Sequence, residues 1–75
     1  MIKERKIRMT VDDAKEFVQT ASKCDFDIDI FYNRVIIDAK SILGVLGLDF
    51  SQPLTVQYGG ENCDFENMIQ RHVVG

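Results

Sequence analysis

The sequence predicts an α+β domain in which helices cover one face of an antiparallel sheet, with elements in the order β-α-β-β-α-β-α. Three observations carry this expectation. Phe26-Asp27-Ile28-Asp29-Ile30 and Leu54-Thr55-Val56-Gln57-Tyr58 alternate apolar and polar residues with the period of a strand. Val11, Ala14, Phe17, Val18 and Ala21 recur at helical spacing, so one stripe of that helix faces a core. No linker, repeat or low-complexity stretch interrupts residues 1–75, which suits one domain with a single layer of helices on its sheet.

The elements follow in order. Ile2 to Met9 reads as a strand with one wet face, because Ile7 and Met9 alternate with Lys6 and Arg8. Thr10 then caps a helix. Thr10-x-x-Asp13 is a capping-box variant, and Asp12 and Asp13 complement the dipole of the first turn. Phe26 to Ile30 is the second strand, with Phe26, Ile28 and Ile30 inward. Tyr32-Asn33-Arg34 turns the chain, since Asn tolerates a left-handed backbone, and Val35-Ile36-Ile37 returns. A very short helix spans Ser41 to Gly47. Leu54 to Tyr58 is the last strand and Gly59-Gly60 a turn. Asn62 caps the final helix, with Asp64 and Glu66 in its first turn and Arg71 and His72 in its last. Phe65, Met68, Ile69 and His72 or Val73 form its inner stripe.

The bulk numbers narrow the function. A chain of 75 residues buries a modest core. Its 45% hydrophobic and 28% charged content is that of a folded domain rather than a disordered one. A net charge of −3 argues against a nucleic-acid partner, and the cluster Lys3, Arg5, Lys6, Arg8 is broken by Glu4 and suits a solvated strand face. No apolar run approaches the ~18 residues of a membrane span. Met1 leads into charged residues rather than an apolar leader, so a cytoplasmic protein with free thiols is expected. Cys24, Cys63 and His72 do not make a metal site, and no nucleophile, base and oxyanion donor assemble into a catalytic centre. No cofactor is implied.

The candidate functional stretch is Lys40-Ser41-Ile42-Leu43-Gly44-Val45-Leu46-Gly47-Leu48. It is apolar on nearly every side. A single sheet cannot bury Ile42, Leu43, Val45, Leu46 and Leu48 together, so Ile42, Leu43 and Leu46 are expected to stay exposed as a docking patch for another protein. Ser41 is a natural N-cap, and a phosphate on its hydroxyl would rewrite the charge beside that patch.

This stretch resembles the second helix of the HPr family, the small phosphocarriers of the bacterial sugar phosphotransferase system. Val18-Gln19-Thr20-Ala21-Ser22-Lys23 is similar to the end of that family's first helix, and the two runs lie at the family's spacing. The resemblance implies an open-faced β-sandwich with sheet order 1-4-2-3. It also implies regulatory phosphorylation at Ser41 and partner binding through Lys40, Ile42, Leu43 and Leu46. The partners it implies are the HPr kinase/phosphorylase and a catabolite-control transcription regulator. The family's phosphorylated loop reads roughly Gly-x-His-Ala-Arg-Pro-Ala before the first helix, whereas this chain reads Met9-Thr10-Val11-Asp12-Asp13-Ala14. Two carboxylates there would repel phosphate. The expected role is therefore that of a regulatory or adaptor relative without histidine phosphocarrier activity. A divergent phosphocarrier using His72 or a thiol and a non-phosphorylated scaffold domain are the alternatives.

Overall fold

The computed structural model describes residues 1–74. Its elements are β1 (Lys3–Ile7), α1 (Val11–Ser22), β2 (Ile28–Tyr32), β3 (Val35–Asp38), α2 (Ile42–Leu46), β4 (Leu54–Tyr58) and α3 (Cys63–Gln70). All strands join one antiparallel sheet in the order β1-β4-β2-β3, the open-faced arrangement expected above.

The register explains the core. Ile7 faces Leu54, Ile30 faces Val56 and Ile28 faces Tyr58. All six are buried on the face that carries the helices. Helix α1 presses Ala14, Phe17, Val18 and Ala21 onto them, α3 adds Phe65, Met68 and Ile69, and α2 contributes Val45. Phe65 meets Phe17 and Tyr58 edge-on, at 6.0 and 5.0 Å between ring centroids, an arrangement that suits the ring quadrupoles. The Tyr58 hydroxyl donates to Glu66, so the one polar atom of this aromatic cluster is satisfied. Burial, with the Glu66 carboxylate adding to it, holds the Tyr58 phenol above its ordinary pKa.

Local chemistry sets the helix ends. At α1 the Asp13 N–H donates to the Thr10 hydroxyl at 3.3 Å, and the Thr10 N–H donates to the Asp13 carboxylate at 3.0 Å. The capping box read from Thr10-x-x-Asp13 is thus reciprocal. The donated Thr10 N–H, then the Thr10 hydroxyl, hold the Asp13 carboxyl below its ordinary value. Asn62 accepts from Phe65 N–H at 3.0 Å and starts α3 in the same way. Asn33 takes φ 54° in the β2–β3 turn, as a two-residue hairpin of mirror-image type requires.

Several boundaries differ from the sequence expectation, each for a reason of packing. Strand β1 is shorter than Ile2–Met9. Val11 does not face the core but is 55% exposed, on the side of α1 that borders α2. Phe26 lies outside β2. The strand begins at Ile28, opposite Tyr58, where β4 ends and no ladder partner remains. The Phe26 ring instead stacks on Tyr58, centroids 6.2 Å apart, and lies over Gly60. Helix α3 ends at Gln70 with Arg71 as its cap, so Arg71 and His72 follow the helix rather than filling its last turn. His72 is half-buried, and Val73 leaves the inner stripe to bridge Ile7 at the outer edge of β1.

These contacts set the stability of three variants. A Cβ at Gly60 would fall within the Phe26 ring, so Gly60→Ala should lower unfolding free energy by about 1–3 kcal/mol in urea titrations. The lowered Asp13 pKa means its stabilisation is present above the unfolded-state value of about 4 and is lost as pH falls through the folded value. Asp13→Asn should therefore be less stable than the parent at pH 7 and lose less on moving to pH 3. Thr10→Ala should cost about 1 kcal/mol at pH 7.

Candidate functional site

Helix α2 is too short to stand by propensity, and its interior Gly44 weakens it further. Three devices hold it, two tertiary and one local. Val45 is fully buried. Ser41 caps the first turn, its hydroxyl accepting from Gly44 N–H at 3.3 Å. Gly44 lets the helix backbone lie against β3, since a Cβ there would sit 2.9 Å from Ile37 Cγ2.

With Val45 inward and Leu48 half-buried against the core, the remaining apolar residues turn outward. Leu43 is 82% exposed, Leu46 45% and Ile42 38%. A shallow groove between α1 and α2 is lined by Val11, Asp12, Lys15, Ile42 and Leu46. Val11 thus extends the apolar patch across to α1. The sequence reading missed it because a residue directly after an N-cap sits on the helical stripe whether or not the sheet reaches that far.

Lys40 stands differently from its neighbours. It is half-buried, and its ammonium donates to the Cys24 carbonyl at 2.9 Å. That bond ties the start of α2 to the end of α1. Ser41 remains exposed, and its hydroxyl makes no hydrogen bond beyond the cap among the described residues. Burial pushes the Cys24 thiol up, against a smaller opposing effect of Lys40, and its Sγ lies 3.6 Å from the Thr20 carbonyl. A protonated, buried thiol of this kind is a packing group rather than a nucleophile. Cys63 is exposed and unpaired. Among the described residues no cluster of His, Cys, Asp or Glu suits a metal ion.

The segment before α1 holds no histidine, and its polar atoms are committed to the Thr10–Asp13 cap. His72 nevertheless comes close to it. The Arg8 N–H donates to the His72 carbonyl at 2.9 Å, and His72 and Arg71 both add weakly to the lowering of the Asp13 pKa. The only histidine of the chain therefore lies beside the N-terminus of α1, brought there by a backbone pairing that no sequence period announces. Arg8 also reaches the Ser51 carbonyl at 3.2 Å. Asp49, which accepts from the Ser51 hydroxyl and N–H, organises that loop between α2 and β4.

The family model described as the PTS HPr component phosphorylation site matches residues 8–70. The phosphocarrier protein HPr of Bacillus anthracis str. Ames superposes with a TM-score of 0.65 at 25% identity, over 95% of this chain and 89% of that one. HPr-C-His of Thermoanaerobacter tengcongensis gives a TM-score of 0.62 at 31% identity, over 93% and 83%. Crh, the catabolite repression containing protein of Bacillus subtilis, shares the fold with a TM-score of 0.64 at 23% identity, over 93% and 88%. The match runs from the segment before α1, through the patch on α2, to the end of α3, and the chain belongs to the HPr family of the phosphotransferase system.

Proposed function

We propose that this HPr-family chain is a regulatory or adaptor protein without histidine phosphocarrier activity, docking its partners through α2 under the control of a phosphate on Ser41. The observation that carries this reading is the exposure of Leu43, Ile42 and Leu46 directly beside the Ser41 hydroxyl. An apolar patch of that kind on a small domain marks a protein-binding surface. A phosphoserine adds about −1.5 to −2 charges at neutral pH. Its oxygens still accept from Gly44 N–H, so the helix keeps its cap while the rim of the patch changes sign. Such a change biases docking without unfolding anything.

The segment before α1 supports the negative half of the reading. A phosphocarrier imidazole needs nearby cations and free backbone donors to hold the transferred group. Here Asp12 and Asp13 occupy the first turn, and the Thr10 and Asp13 N–H groups are already engaged in the cap. The partners this reading names are the HPr kinase/phosphorylase and a catabolite-control transcription regulator. The compartment is the cytoplasm, and the chain has no catalytic role of its own.

One observation favours a second reading. His72 lies beside the N-terminus of α1 and could take the place of a histidine in the preceding loop. Against it stand the Asp13 carboxylate and the last carbonyls of α3, which repel a phosphoryl group.

Phosphate incorporation decides between them. With phosphoenolpyruvate and enzyme I, the proposed function gives no acid-labile phosphate, whereas a phosphohistidine at His72 establishes the second reading. With ATP and HPr kinase/phosphorylase, one acid-stable phosphate is expected, absent in Ser41→Ala. In titrations against the transcription regulator, phosphorylation or Ser41→Asp should shift affinity. Leu43→Asp should weaken binding at least about tenfold. Unchanged binding by both variants would leave only a scaffold role.

A further inference from the structure

The sheet has two outer edges, and they are finished differently. The end of the outer edge of β1, from Lys6 to Arg8, is paired with the chain's own tail. Val74 N–H donates to the Lys6 carbonyl and Arg8 N–H to the His72 carbonyl, each at 2.9 Å, with Ile7 bridging Val73. Strand β1 also carries Lys3, Arg5 and Lys6, charges that discourage a foreign strand. The outer edge of β3 has no such covering segment, and its flanking charges, Arg34 and Asp38, are of opposite sign. Among the described residues nothing pairs with it, and Val35 and Ile36 are 49% and 62% exposed.

The backbone groups that stand free on that edge can be identified. Ala39 N–H donates to the Ile28 carbonyl at 2.9 Å, which continues the ladder in which Ile37 faces Ile30 and Val35 faces Tyr32. Alternation along an antiparallel pair then turns Val35, Ile37 and Ala39 toward β2, and turns Ile36 and Asp38 outward. The Asp38 carbonyl is met by Ser41 N–H at 3.0 Å. The Ile36 N–H and carbonyl and the Asp38 N–H are left without partners among the described residues.

We propose that the β3 edge is a homodimer interface, in which two copies pair β3 antiparallel about a two-fold axis through Ile36. Only this register joins three features at once. Ile36 meets Ile36 as a mutual hydrogen-bonded pair, using the free N–H and carbonyl of each copy. Asp38 N–H meets the Arg34 carbonyl of the other copy. The side chains of Arg34 and Asp38 then face one another twice. Both are exposed and neither belongs to an ion pair among the described residues. Along the edge the sequence reads cation, Ile36, anion at alternate residues, which is self-complementary when reversed. Phe31 lies opposite Ile36 on the face away from the helices, so the joined sheets present one apolar row from Phe31 to Phe31. A four-residue strand buries less than a standard interface of about 1,600 Å², so the dimer is a weak one.

Sedimentation equilibrium on the whole chain between about 10 µM and 1 mM should show a reversible rise toward twice the monomer mass, the range expected of so small an interface. Ile36→Lys should hold the protein monomeric throughout, with an unchanged circular-dichroism spectrum because the side chain is exposed. Arg34→Glu should shift the midpoint to at least about fivefold higher concentration by setting like charges opposite each other. In the unaltered protein, the Ile36 amide should exchange its hydrogen several-fold more slowly at the high end of the range, a readout independent of any variant's folding. A monomer at every concentration overturns the proposal. So does a dimer that survives Ile36→Lys with Ile36 exchange unaffected, since its interface lies elsewhere.

Discussion

The short helix α2 cannot sustain itself, and its dependence on Val45 sets the character of the molecule. One buried side chain, one serine cap and one glycine that admits β3 are enough to seat five residues on the core. The exposure of Ile42, Leu43 and Leu46 is a direct consequence. Once Val45 points inward, a helix with 100° between successive residues must turn its neighbours outward. A longer helix would add a second buried residue and gain stability, but a larger share of its apolar side chains would be hidden. The patch is therefore a property of helix length as much as of composition.

The same economy operates before α1. In a small domain the free N–H groups at a helix start are among the few places that attract an anion. Here the Asp13 carboxylate is that anion, supplied from within the chain and held below its ordinary pKa by the Thr10 N–H and hydroxyl. The cap stabilises α1 and places a carboxylate where an anion would otherwise be drawn, which is the physical basis of the proposed loss of phosphocarrier activity. Helix α2 differs, because its cap is a neutral hydroxyl that remains exposed and chemically open.

Strict periodicity made much of the fold readable from sequence. The alternation in Leu54–Tyr58, the stripe Ala14–Phe17–Val18–Ala21 and the Asn62 cap each report a local pattern, and each stands as read. The sheet order was not readable from pattern, because alternation says nothing about neighbours, and only the family resemblance supplied it. The misplacements share one cause. Val11, Phe26, Arg71, His72 and Val73 sit where local period and tertiary packing part company: Val11 borders the groove beside α2, the ladder ends before Phe26, and the tail leaves α3 to pair with β1. At the site, the apolar character of residues 42–46 was legible. The involvement of Val11 and the tethering of Lys40 to the Cys24 carbonyl were not, since both are set by the distance between α1 and α2.

The two surfaces left open by this architecture are mechanically separate. The α2 patch belongs to the helical layer, while Ile36 and Phe31 belong to the opposite face of the sheet, with Ile37 beneath Gly44 between them. Pairing at the β3 edge uses Ile36 and Asp38 and leaves the Ser41 hydroxyl untouched. The Ser41 N–H also donates to the Asp38 carbonyl, so the residue proposed to carry the switch steadies the outer end of β3. The proposed phosphorylation site and the proposed dimer edge thus meet at one backbone hydrogen bond, between residues 38 and 41.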